Sequence, residues 1–204
     1  MLCLKVASDA AWADAAARSF DEVLVDHAHC EMKAASNALS LAARHPERLP
    51  LVHALTDLAK EEIEHFQRVL GFLERRGLAL GPPQVDVYAA ELRRAAHAAP
   101  TRLPPLVDRL LVGALIEARS CERFKILLDR ALPDPELVAF YTELFAAEAR
   151  HYRCFVDLAR DAAGADADRA GLVDARLEEL AVVEATIVER LARAPAPARG
   201  TVHG

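Results

Sequence analysis

Lys60-Glu61-Glu62-Ile63-Glu64-His65-Phe66 sets Glu62 and His65 three residues apart. On an α-helix that spacing puts a carboxylate and an imidazole side by side on one face. The same pair recurs as Glu148 and His151 in Ala147-Glu148-Ala149-Arg150-His151-Tyr152. One Glu-x-x-His carries little information, because glutamate is common on helices. Here each copy follows, by 31 residues, another glutamate in a helical stretch, Glu31 or Glu117. Four glutamates and two histidines so placed are the ligand set of a carboxylate-bridged dimetal site in a four-helix bundle.

The turns explain why these side chains should meet. Glu31 lies 15 residues before Pro46 and Glu62 lies 16 after it; Glu117 lies 16 before Pro133 and Glu148 lies 15 after it. At about 1.5 Å per helical residue, both members of each pair stand roughly 23 Å from their turn. Two antiparallel hairpins thus each bring two glutamates to one level. The halves are related by an offset of 86 residues, which reads as an internal pseudo-repeat. Packed together without metal, the carboxylates would repel strongly in a low-dielectric interior, and two divalent cations would offset that repulsion.

Working outward, apolar and small residues at helical spacing predict helices over 20–44, 49–76, 106–132 and 136–162. A short helix is expected over 8–18, and another, carrying Tyr88, in the 84–98 crossover. A single amphipathic helix with an acidic outer face is expected over 168–193. Prolines 46, 82, 83, 100, 104, 105, 133 and 135 fall between the segments, where they end one helix or open the next. The expected fold is all-α: a four-helix bundle with a long crossover between helices two and three and extra terminal helices. Residues 1–193 are expected to form one domain and 194–204 a flexible tail.

The 204 residues, 53% apolar with few aromatics and few glycines, suffice for a substantial core and favour helices. No apolar run approaches the length needed to cross a bilayer, and the first residues do not read as a secretory signal. Cys3, Cys30, Cys121 and Cys154 are far apart, as in reduced thiols of a cytoplasmic protein, the last three partly core-facing. The net charge of −6 is unusual for a nucleic-acid binder, but it is uneven. From Arg68 to Arg123 there are nine basic and six acidic residues, whereas 166–190 holds seven acidic and three basic. Arg75, Arg76, Arg93, Arg94, Arg119 and Arg123 are the candidates for a basic surface.

Glu122 rivals Glu117 but lies only 26 residues before Glu148 and breaks the symmetry. Glu61 and Glu64 are expected to face solvent or to orient a ligand histidine. His27 reads as a core imidazole or a support for the ligands, and His29 should point away. Tyr88, Tyr141 and Tyr152 read as core or rim aromatics. Ala34, Ala35, Gly113 and Ala114 are explained equally by room for a substrate and by close helix packing. Oxygen-rich ligation with only two histidines suits iron or manganese better than zinc. No dinucleotide fingerprint or iron–sulfur cysteine spacing is present, so electrons would come from a separate donor protein.

The run Asp26-His27-Ala28-His29-Cys30-Glu31-Met32-Lys33-Ala34-Ala35-Ser36, with Glu61-Glu62-Ile63-Glu64-His65-Phe66, resembles the MiaE-type tRNA hydroxylases of the ferritin-like superfamily. Glu117-Ala118-Arg119-Ser120-Cys121-Glu122-Arg123-Phe124 and Glu148-Ala149-Arg150-His151-Tyr152 resemble that family's other ligand segments. The resemblance implies two non-haem irons held by Glu31, Glu62, His65, Glu117, Glu148 and His151. It implies O2 as co-substrate and the prenyl chain of 2-methylthio-N6-isopentenyl adenosine, beside the tRNA anticodon, as the group hydroxylated. A monomer or small oligomer is expected. The rival expectation is a ferritin-like oxidase, peroxidase or iron-handling protein with no tRNA substrate.

Overall fold

The computed structural model describes residues 2–130, 132 and 134–193, and among these it contains eight helices and no strand. The chain divides into two compact units, one spanning Arg18–Val85, the other joining the chain up to Ala17 with that from Asp86 onward.

The first unit is a hairpin of α2 (Phe20–Arg44) and α3 (Leu49–Arg75). Asp21 and Glu22 sit in the first turn of α2, where the helix dipole favours negative charge. Pro50 lies in the first turn of α3, where its missing N–H costs nothing. The end of α3 is a Schellman motif: Leu78 N donates to Leu73 O (2.9 Å) and Gly77 N to Glu74 O (3.1 Å), with Gly77 at φ +67°. Arg76 Nε then donates to Asp21 Oδ1 at 2.8 Å, tying the end of α3 to the start of α2 and fixing the antiparallel pairing. Residues Leu24, Ala28, Ala35, Ala38 and Leu41 of α2 are buried, as are Leu51, Leu55, Leu58, Val69 and Phe72 of α3.

The second unit holds α1 (Ala10–Arg18), α4 (Val87–Ala98), α5 (Pro105–Asp129), α6 (Pro135–Ala163), the short α7 (Ala165–Arg169) and α8 (Leu172–Ala192). Asp86 caps α4 by accepting from Ala89 N, and Asp134 caps α6 by accepting from Glu136 N. Helix α5 is buried on nearly every face, and α6, α4 and α8 all pack against it. Tyr141 lies edge-on to Phe124 and Phe140, with ring centroids 5.2 and 5.7 Å apart. A Cβ on Gly113 would stand 2.9 Å from Phe155 Cε1, so close packing explains this small residue. Arg176 of α8 grips both carboxylate oxygens of Asp108 (2.9 and 3.0 Å) and donates to Ala96 O and Ala99 O at the end of α4.

Two expectations are corrected. The helix expected over 168–193 is two, α7 and α8, separated by Gly171 at φ +68°, a left-handed conformation that ends one helix before the next begins. The helix expected to reach residue 132 ends at Asp129. The expected tail, 194–204, and Pro133 of the expected turn lie outside the described residues. All four cysteines are free thiols, Cys30 and Cys121 buried and Cys3 and Cys154 half-buried.

Candidate metal centre

In the α2–α3 hairpin the inward line of α2 carries Glu31 and that of α3 carries Glu62 and His65, all essentially buried. One donor atom from each lies within 4.8 Å of the others. His65 Nδ1 stands 3.5 Å from Glu62 Oε2 and 3.7 Å from Glu31 Oε2. The other oxygen, Glu31 Oε1, is 2.6 Å from Nε2 of His27, one turn earlier on α2. Glu31 Oε2 is buried and has no partner at hydrogen-bonding distance.

These contacts set the electrostatics. Burial alone would raise the Glu31 carboxyl, but the side chains of Glu62, His27 and His65 outweigh it and hold the group well below the usual carboxylate range. Burial alone would lower the His65 imidazole, yet Glu31 and Glu62 outweigh it and push it up to about 10. The two carboxylates demand a positive charge among them. A proton on His65 meets that demand, and so would a divalent cation on the same Nδ1.

In the second unit, Glu117 of α5 meets Glu148 and His151 of α6, again with one donor atom each within 4.8 Å of the others and all three buried. Each hairpin therefore presents two carboxylates and one imidazole, a hard, oxygen-rich set that fits iron or manganese. The buried Glu31 Oε2, lacking a hydrogen-bond donor, is what a metal ligand requires and what a structural carboxylate avoids.

Glu122, the rival to Glu117, is engaged elsewhere. It accepts from Ser8 N (2.8 Å), Ser8 Oγ (2.7 Å) and Arg119 Nη1 (3.2 Å). His29 points away from Glu31, but not to solvent: it is buried, with Nε2 3.1 Å from Leu80 O. Glu61 is half-buried and Glu64 exposed. Tyr88 and Tyr141 are core residues and Tyr152 is half-buried.

Sequence reasoning missed a second polar cluster in the second unit. Arg119 is fully buried, bonded through Nε and Nη2 to Glu184 of α8 (2.9 and 3.0 Å), while Nη2 also donates to Val6 O (3.1 Å). Tyr88 donates its hydroxyl to Glu184, and Arg123 lies over the Trp12 ring, 4.6 Å from its centroid. Arg119 and Arg123 are therefore fold residues and drop out of any basic surface. The signal was present, since Glu184 falls on the buried line Leu177, Leu180, Glu184, Ile187, Leu191.

Residues 2–196 match the family described as tRNA-(MS[2]IO[6]A)-hydroxylase (MiaE). The chain is 43% identical over 176 residues to a tRNA 2-(methylsulfanyl)-N(6)-isopentenyladenosine(37) hydroxylase of Pseudomonas putida, covering 85% of this chain and 83% of that protein. A Salmonella typhimurium protein of the same name is 34% identical over 139 residues, 68% of this chain and 47% of its own length. A solved structure, "Protein 43 with aldehyde deformylating oxygenase activity from Synechococcus", is 35% identical with a TM-score of 0.84, covering all of this chain and 96% of that one.

Proposed function

The chain belongs to the MiaE family of tRNA hydroxylases, and from that premise we propose its reaction and the residues that carry it. The protein is an enzyme of the ferritin-like all-α class that hydroxylates the isopentenyl group of 2-methylthio-N6-isopentenyl adenosine in tRNA. The match of residues 2–196 to that family carries this reading.

Glu31, Glu62 and His65 from one unit, with Glu117, Glu148 and His151 from the other, are the six ligands of one di-iron centre in a single catalytic domain. When bound, the iron pair supplies O2 reduction and an oxidant strong enough for an unactivated C–H bond. One oxygen atom enters the prenyl chain and the other leaves as water, which consumes two electrons and two protons beyond those of the C–H bond. A separate electron-donor protein delivers the electrons. The chain's own part is to hold the hard, anionic donors at fixed spacing on rigid helices and to exclude water from them. We place this chemistry in the cytoplasm, in a monomer or small oligomer; among the described residues no helix is long and apolar enough to cross a membrane.

The test is mass spectrometry of nucleosides from prenylated tRNA incubated with iron-loaded protein, reductant and O2. One oxygen should be added to the prenyl adenosine, and none by Glu117→Ala. The likeness to the Synechococcus protein favours a second reading, an oxygenase acting on an aldehyde without tRNA. Aldehyde consumption with no change in the nucleoside would select it.

A further inference from the structure

Resting on the tRNA reading above, we infer that Arg93, Arg94, His97 and Arg102 form a surface on which the phosphate backbone of the tRNA docks.

The net charge of −6 repels a polyanion, so an RNA substrate needs a local patch that outweighs the rest of the protein. Of the six arginines that the sequence offers for such a patch, four are already engaged within the fold. Arg119 and Arg123 are buried. Arg76 donates to Asp21 at 2.8 Å, and Arg75 lies over the Phe72 ring, 4.6 Å from its centroid. Arg93 and Arg94 remain. Both are exposed, as are His97 and Arg102, and among the described residues none of the four is paired with a carboxylate.

Residues 92–107 hold these four and no aspartate or glutamate. Arg93, Arg94 and His97 fall within an arc of about 100° on α4, whose buried residues are Tyr88, Ala89, Leu92 and Ala96. Arg102 follows in the link to α5. The acids on either side in sequence, Glu91 and Asp108, are held by Arg190 and Arg176. Arg176 also donates to the carbonyls of Ala96 and Ala99, at 3.2 Å each. The negative end of the α4 dipole, which would repel a phosphate beside His97, is thereby offset by a buried cation.

The patch suits phosphate better than a protein partner. An arginine fork can pair two nitrogens with two phosphate oxygens. Among the described residues, no large apolar side chain between 92 and 107 is exposed, so a protein would find no apolar core to bury there.

The experiment measures binding of a prenylated tRNA anticodon stem-loop to the full-length protein by fluorescence anisotropy at several salt concentrations. Circular dichroism checks the fold of each variant. Arg93→Gln, Arg94→Gln and Arg102→Gln combined should weaken binding by at least about tenfold. The slope of log Kd against log salt should fall by about one for each arginine lost. Arg93→Lys, Arg94→Lys and Arg102→Lys combined should keep most of that slope, because the charges stay. A control removes three exposed cations of the other unit, Arg44, Arg48 and Lys60, and should leave the affinity nearly unchanged. Equal weakening by both charge-removing triples would assign the effect to net charge and overturn the inference. Unaltered RNA binding by the folded glutamine triple would also overturn it, and slower reduction by an acidic electron-donor protein would then give the patch to that partner. Failure of the wild type to bind the stem-loop would overturn the tRNA reading, and the inference with it.

Discussion

The α2–α3 and α5–α6 hairpins keep one register for chemistry and diverge almost everywhere else. Glu31, Glu62 and His65, the proposed ligands of the first, are each matched 86 residues later in the second. At the same offset His27 gives way to Gly113 and Val69 to Phe155, so a polar contact in one hairpin becomes a ring against a backbone in the other. Their surroundings differ as well. Helix α5 is covered on several sides and carries buried Asp108, Arg119, Glu122 and Arg123 inside its unit, whereas α3 has one buried face, holding Glu62 and His65 among apolar residues. Ligand geometry tolerates little change, while the space around it can be filled by any set of side chains of the right volume and satisfied polarity.

The comparison breaks first at the proposed ligands. Glu62→Ala and Glu148→Ala occupy equivalent positions and should each lower tRNA hydroxylation by at least about 100-fold, with helicity largely kept, since each removes a buried carboxylate from a repulsive cluster. Nucleoside mass spectrometry compares the two directly. A harmless substitution in one hairpin would end the equivalence.

The second effect is confined to the unit containing α8. Arg119→Met leaves Glu184 and Glu122 buried without their guanidinium, which should cost about 3–5 kcal/mol in urea unfolding. A smaller effect sharpens the register argument. Gly113→Ala overfills the contact with Phe155 and should cost about 1–3 kcal/mol, and adding Phe155→Val, the residue at the matching position, should return part of that loss.

The smallest effect is a proton count. His65 in the metal-free protein titrates near 10, above its ordinary value of 6.5. The stability its charged form contributes is complete below about pH 6.5 and is lost as pH rises through 10. Binding metal at Nδ1 must displace that proton, so iron(II) added at pH 8 should release protons, fewer of them in His65→Ala. Calorimetry in buffers of different ionisation enthalpy measures the difference.

The meeting of Glu31 with Glu62 and His65, and of Glu117 with Glu148 and His151, and the long helices were legible because periodicity and proline placement report them directly. Gly171 was harder: one glycine inside an amphipathic pattern marks either a tolerated weak point or a break, and only its left-handed φ decides. Glu184 was passed over and Arg119 was assigned to a basic surface because charge reads as exposure until a partner is known, and each has its partner 65 residues away in the other. His29 was read correctly as facing away from the ligands, but the carbonyl of Leu80 that keeps it buried could not be anticipated from local spacing. The contact of His27 with Glu31 sits at a spacing of four on one helix, and there the sequence was sufficient to raise the possibility of support for a ligand.

The central claim is that both hairpins serve one metal pair. Its most direct test is electron paramagnetic resonance of the oxidised, iron-loaded protein alongside elemental analysis. Two irons per chain and no signal from isolated ferric ions are expected, because two ferric ions held close together by one set of ligands would be magnetically coupled. Two irons per chain with the full signal of isolated ferric ions would contradict it and leave two separate mononuclear sites.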